Sequence, residues 1–156
     1  MSHPLPDDVL VELGKLTWAA IGLEDLADSL CNAVRHANPR EDRRGIGQKI
    51  NDARRDLKTW EQAPEVVQVD SWLARAGQAL ERRNAILHSV PIRVFDRDGG
   101  DIGSALGEMP RGDHSYFERH VTVEALQGVR NELEHAQQGW RNTVLLATRL
   151  YPQSES

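Results

Sequence analysis

The chain has 156 residues, a net charge of -5 and a single cysteine. That length suits one domain spanning 1–156 with a core of its own, and lone Cys31 excludes an intramolecular disulfide framework. No stretch reaches the ~18 apolar residues of a membrane span, and Met1 to Pro6 lacks the basic-then-apolar pattern of a secretory signal. A soluble cytoplasmic protein is therefore expected, and the acidic balance argues against a general nucleic-acid binder.

The first helix is predicted over about Asp7 to His36, with the apolar stripe Val9, Leu13, Leu16, Ala20, Leu23, Ala27, Leu30 and Val34. Asp7 and Asp8 suit the positive end of its dipole, and Asn38-Pro39 breaks the chain after it. The second helix covers about Gly45 to Gln62, with Ile46, Ile50, Ala53, Leu57 and Trp60 at heptad spacing. The third runs from Pro64 or Val66 to Ser89, along Val69, Leu73, Ala76, Leu80, then Arg83, Leu87 and Val90.

Between Pro91 and Val121 the helical period disappears. Pro91 to Phe95 reads as a strand, Asp98-Gly99-Gly100 as a turn, and His114 to Val121 as a second short strand. Asp96, Asp98 and Asp101 do not form an EF-hand loop, because the sixth and twelfth positions are Asp101 and Gly107 instead of Gly and Glu. The last helix starts at the N-cap Thr122 and runs to about Tyr151, with Leu126, Val129, Leu133, Ala136, Trp140, Val144, Ala147 and Tyr151 on its stripe. Residues 152–156 are expected to fray. The predicted fold is mainly α: a four-helix up-down bundle with a small β-hairpin-like insertion at about 91–121. The tryptophans at 18, 60, 72 and 140, one per helix beside a stripe, are expected in the core.

Charge is unevenly distributed. Residues 40–58 carry seven basic and four acidic groups, residues 75–97 five and two, and the first helix holds six acids within 7–28. Sixteen of the nineteen cations are Arg. The second and third helices either present a basic face suited to bidentate phosphate contact or carry ordinary solvated charge.

Arg83-Asn84-Ala85-Ile86-Leu87-His88 stands out because its Arg falls on an apolar stripe. Asn84 and His88 are i,i+4 neighbours, while Arg83 sits about 140° round the axis from His88. With 16 Arg and 6 His in the chain, chance supplies about two Arg-x4–6-His matches, but requiring Asn after Arg at this spacing lowers that to about 0.02. A twin, Arg130-Asn131-Glu132-Leu133-Glu134-His135, has its Arg off the stripe and two carboxylates within it, and is expected on a solvated polar face.

Arg83-Asn84-x-x-x-His88-Ser89, preceded by Glu81-Arg82, resembles the signature of the HEPN superfamily. These are small helical bundles, many of them RNases of toxin–antitoxin, abortive-infection and CRISPR-linked systems. The resemblance implies metal-independent RNA cleavage at a site shared by two protomers. His88 would act as general acid or base, Arg83 would hold the phosphate, and Asn84 would orient His88 or bond the substrate. Arg82 is a weaker candidate for substrate contact. No cofactor or metal is implied; the partners implied are RNA, a second copy and an antitoxin or nucleotidyltransferase. Many relatives carry an aromatic soon after the His, where this chain has Val90-Pro91. The alternative is a noncatalytic interaction or nucleotide-binding module, with Arg83 snorkelling to an acid and His88 at ease beside the negative end of the helix dipole. Glu132-x-x-His135 has no second Glu-x-x-His to complete a di-iron set.

Overall fold

A computed structural model describes residues 5–35, 44–88, 90–95, 97–107 and 120–152. The protein is mainly helical and bundle-like. Its helices are α1 (Asp7–Arg35), α2 (Ile46–Leu57), α3 (Pro64–Leu87), α4 (Val123–Ala136) and α5 (Trp140–Leu150). Strands β1 (Val90–Phe95), β2 (Asp101–Gly107) and β3 (His120–Val121) lie between α3 and α4 in one antiparallel sheet of order β1-β2-β3. The expected positions His36, Ser89, Asp96, 108–119 of the β excursion and 153–156 of the tail lie outside the described residues.

The core follows the apolar periodicity closely. Leu16, Ala20, Leu23, Ala27 and Leu30 of α1 are fully buried, as are Leu73 and Ala76 of α3 and Leu126 and Leu133 of α4. Each Leu so buried contributes roughly 1.5–3 kcal/mol of hydrophobic stabilisation. Trp72 is buried and Trp60 nearly so, and Trp60 meets Tyr151 edge-on at 5.9 Å. Trp18 departs from expectation. It lies on the outer side of α1, 78% exposed, because that helix turns its Leu16–Ala20–Leu23 side inward.

Helix direction also differs from the expected up-down order. Parallel helices keep a constant difference between contacting residue numbers, and antiparallel helices a roughly constant sum. Lys49 pairs with Asp28 and Arg35 with Asp56, both 21 residues apart, so α2 runs in the same sense as α1. Arg130 reaches Glu12 and Gln137 reaches the carbonyl of Ala19, both 118 apart, so α4 also runs parallel to α1. Against these, α3 is reversed: Arg54 pairs with Asp70, and Ile50 lies 3.6 Å from the space a Cβ on Gly77 would occupy. Likewise Arg82 meets Glu132, and Trp72 meets Gln138. Periodicity reports which face is buried, and it is silent on direction.

The single long last helix is in fact two. Gly139 adopts φ 75° and ends the α4 geometry. The break passes unseen in the apolar pattern because Ala136 and Trp140 stay in phase across it. The carbonyl of Gln138 at the break accepts the buried Trp72 indole N–H at 3.0 Å. Trp140 donates its own indole N–H to the carbonyl of Leu26 at 2.8 Å. Both indoles thereby avoid the cost of a buried unpaired donor.

Two alanine substitutions of opposite sign test this account. Gly139→Ala forces a side chain into the left-handed region and is expected to lower stability by about 1–2 kcal/mol. Gly128→Ala, inside α4 with no atom within 4 Å of the added Cβ, should raise it by about 0.4–1 kcal/mol. Urea unfolding of both variants measures the pair.

Candidate functional site

The end of α3 carries the first Arg-Asn-x-x-x-His string. Its buried ridge includes Trp72, Ala79 and Ile86, and this ridge takes Ile86 into the core while Leu87 stays 53% exposed. The predicted stripe had Leu87 inside; the last turn of α3 presents the neighbouring position instead. Arg83 does face the bundle. Its side chain keeps 13% exposure and pairs with Glu24 of α1. Among the described residues its buried Nε has no hydrogen-bond partner. Glu24 was legible only as an acid beside the α1 stripe, between Ala20 and Ala27.

Asn84 and His88 lie on the outer surface. They are consecutive turns of one face, and the His88 backbone N–H donates to the Asn84 carbonyl at 3.1 Å where α3 ends. The string is therefore divided: guanidinium inward against α1, amide and imidazole outward. Ile21 and Leu87, one turn from Glu24 and Arg83 respectively, are 48% and 53% exposed. They put aliphatic surface on the α1 and α3 turns next to this ion pair.

The twin string has the same layout, contrary to the expectation of a solvated polar face. Arg130 is 22% exposed and donates through Nε to Glu12 of α1 at 3.2 Å, and through Nη1 to Glu134 at 3.4 Å. Asn131 and His135 point outward. Glu12 is the buried acid of this cluster and also accepts from Lys15 and Gln127. Burial pushes its carboxyl up, but the hydrogen bonds from Gln127 and Lys15 and the charges of Lys15 and Arg130 outweigh it. The group ends below the ordinary glutamate value of 4.5.

Arg82 does not join Arg83 and His88. It extends to the other side of α3, where it pairs with Glu132 of α4. There a groove of about 590 Å³ separates the two helices, lined by Arg75, Gln78, Arg82, Asn131, Glu132 and His135 over the small Ala79 and Ala136. Arg75 was not singled out from the sequence, where nothing distinguished it from a solvated cation.

Of the two readings of the α2 charges, a free basic face is not what the fold presents, because most of these cations are paired. Lys49 pairs with Asp28, Arg54 makes a two-pronged contact with Asp70, and Arg44 and Arg55 both meet Asp52. Asp28 of α1, Asp70 of α3 and Asp52 of α2 itself thus absorb much of the excess positive charge. Among the described residues no cluster of three or more His, Cys, Asp or Glu could hold a metal ion, and no helix is long and apolar enough to cross a membrane. Comparison with known proteins gives no matching family model, no similar curated protein and no similar solved structure.

Two stability measurements follow from these pairs. Glu24→Ala leaves a half-enclosed guanidinium unpaired and should cost more than Arg83→Met, which removes the cation outright. A double-mutant cycle should return a coupling of about 1 kcal/mol, modest because Glu24 is over a third open to water. Additivity of the two variants would mean the pair contributes nothing. For Glu12, a lowered folded pKa means stabilisation is complete above the ordinary value of 4.5 and is lost as pH falls through the folded value. Glu12→Gln should therefore be less stable than wild type at neutral pH, with the gap in urea midpoint closing below pH 4.5.

Proposed function

We propose that this protein is a HEPN-like, metal-independent endoribonuclease that acts in the cytoplasm as a homodimer, with Arg83, Asn84 and His88 as its working residues. The observation that supports this most is the division of the string. A guanidinium held at the α1–α3 seam by Glu24 has a set orientation, while Asn84 and His88 stand open to a substrate. One chain does not bring Arg83 and His88 together, so a two-fold pairing of α3 ends would complete the site, with exposed Ile21 and Leu87 supplying apolar contact.

The chemistry asked of the residues is modest. One imidazole takes the proton of a ribose 2′-hydroxyl as that oxygen bonds to phosphorus. The 5′-oxygen leaves and receives a proton from the second imidazole, giving a 2′,3′-cyclic phosphate and a 5′-hydroxyl end. Arg83, with five donors of which Glu24 uses one, offsets charge on the phosphoryl oxygens. A toxin or defence setting, with an antitoxin or nucleotidyltransferase as partner, belongs to the same reading.

A second reading is favoured by the ion pair itself. A cation paired with Glu24 can be a structural tie between α1 and α3, which suits a noncatalytic interaction module. Cleavage of total RNA in the presence of EDTA separates the two. Under the ribonuclease reading the wild type cleaves, His88→Ala loses at least about 100-fold, and His135→Ala retains its single-turnover rate at saturating RNA. Equal cleavage by all three proteins rejects the residue assignment, and an inert wild type that is nonetheless dimeric supports the interaction module.

A further inference from the structure

The groove between α3 and α4 lies on the opposite side of α3 from Asn84 and His88, and its chemistry is not that of a plain helix–helix seam. We infer that it binds a nucleoside phosphate, either free or as one unit of an RNA chain. One wall carries Arg75 and Arg82, two turns apart and so about 10 Å along the helix, with Gln78 between them. The other wall carries Asn131 and His135 one turn apart, and the floor is made by Ala79 and Ala136. Its volume of about 590 Å³ is within the range of small-ligand sites.

Each part of such a ligand meets a suitable group. Arg75 is exposed and takes part in no ion pair among the described residues, so its planar fork is available for two phosphate oxygens. Arg82 is engaged by Glu132, but that pair is 64% and 43% exposed; exposed pairs contribute little, and an incoming phosphate can take the guanidinium. The paired alanines put small apolar side chains between the two polar walls, a surface on which the face of a base can lie. Asn131 and Gln78 present amide donor–acceptor pairs of the kind that bond a base edge, and among the described residues neither side chain is otherwise hydrogen-bonded. With two guanidinium groups against one carboxylate, the groove is locally positive on a chain of net charge -5. An acidic peptide would meet the same cations but would leave the amides and the alanine floor unused.

The inference does not depend on the ribonuclease reading, so it is tested on the His88→Ala protein, in which RNA should stay intact under that reading. Calorimetric titration uses the four ribonucleoside 5′-monophosphates, adenosine, inorganic phosphate, a mixed-sequence RNA hexanucleotide and a Glu-rich peptide. The best monophosphate or the hexanucleotide is expected to bind at least about tenfold tighter than adenosine or phosphate alone. Arg75→Gln should weaken it about tenfold, and Glu132→Gln, which frees Arg82, should tighten it about threefold. These opposed signs at exposed positions are not mimicked by misfolding. A hexanucleotide that outcompetes every mononucleotide identifies an RNA chain as the source, and parity identifies a free nucleotide. Binding no better than phosphate alone, unchanged affinity in both variants, or a clear preference for the acidic peptide would each overturn the inference.

Discussion

Helix α1 holds the structure together through one continuous seam and the charges at its margins. Leu16, Ala20, Leu23, Ala27 and Leu30 are fully buried along it, and dispersion and burial there act without preference for register. The marginal charges supply the preference. Glu12 bonds to Arg130 of α4, Glu24 to Arg83 of α3, Asp28 to Lys49 and Arg35 to Asp56 of α2. Sliding any of the three partners by one turn would leave a half-buried charge without its mate, which costs more than the pair contributes when made. Apolar area accounts for cohesion, and these four contacts account for which turn meets which.

This division explains what could be read in advance. The presence of a helix on each stripe and, Trp18 and Leu87 apart, its inward side follow from apolar spacing, which is a one-body property of a segment. Direction, pairing and partner are two-body properties. The same stripes serve an up-down bundle or one in which only α3 is reversed, so the parallel course of α1 and α2 could not be read from them. The α4–α5 break escaped for a related reason: Gly139 sits between Ala136 and Trp140 without disturbing their phase. Trp18 shows the limit at single-residue scale, since it borders the stripe by sequence yet faces water.

At the site, the inward setting of Arg83 was legible because an Arg on an apolar stripe must either pair or snorkel. Its partner was not, because Glu24 is an unremarkable acid until α1 and α3 are brought together. Arg82 illustrates the converse. Adjacent in sequence to Arg83, it projects about 100° away round the axis, far enough to serve α4 and the groove. The basic windows left two readings open for the same reason, since a run of cations carries no record of the acids that will face it.

The twin strings bear most directly on function. Sequence context set them apart through the position of each Arg relative to a stripe, yet in the folded chain both arginines turn toward α1 and take a carboxylate there, while both Asn–His pairs face out. Because α3 is reversed and α4 is not, the two pairs are carried by helices of opposite direction that both pack on α1. Local layout therefore does not discriminate between them, and the surroundings of each imidazole must. His88 closes a helix beside exposed Leu87, and under the proposed ribonuclease reading its second wall would come from another molecule. His135 already has one, formed by Arg75 and Arg82 across the groove. A site that needs two copies and a site complete within one copy respond differently to dilution, so the dependence of any activity on protein concentration carries the information that the six-residue pattern lacks.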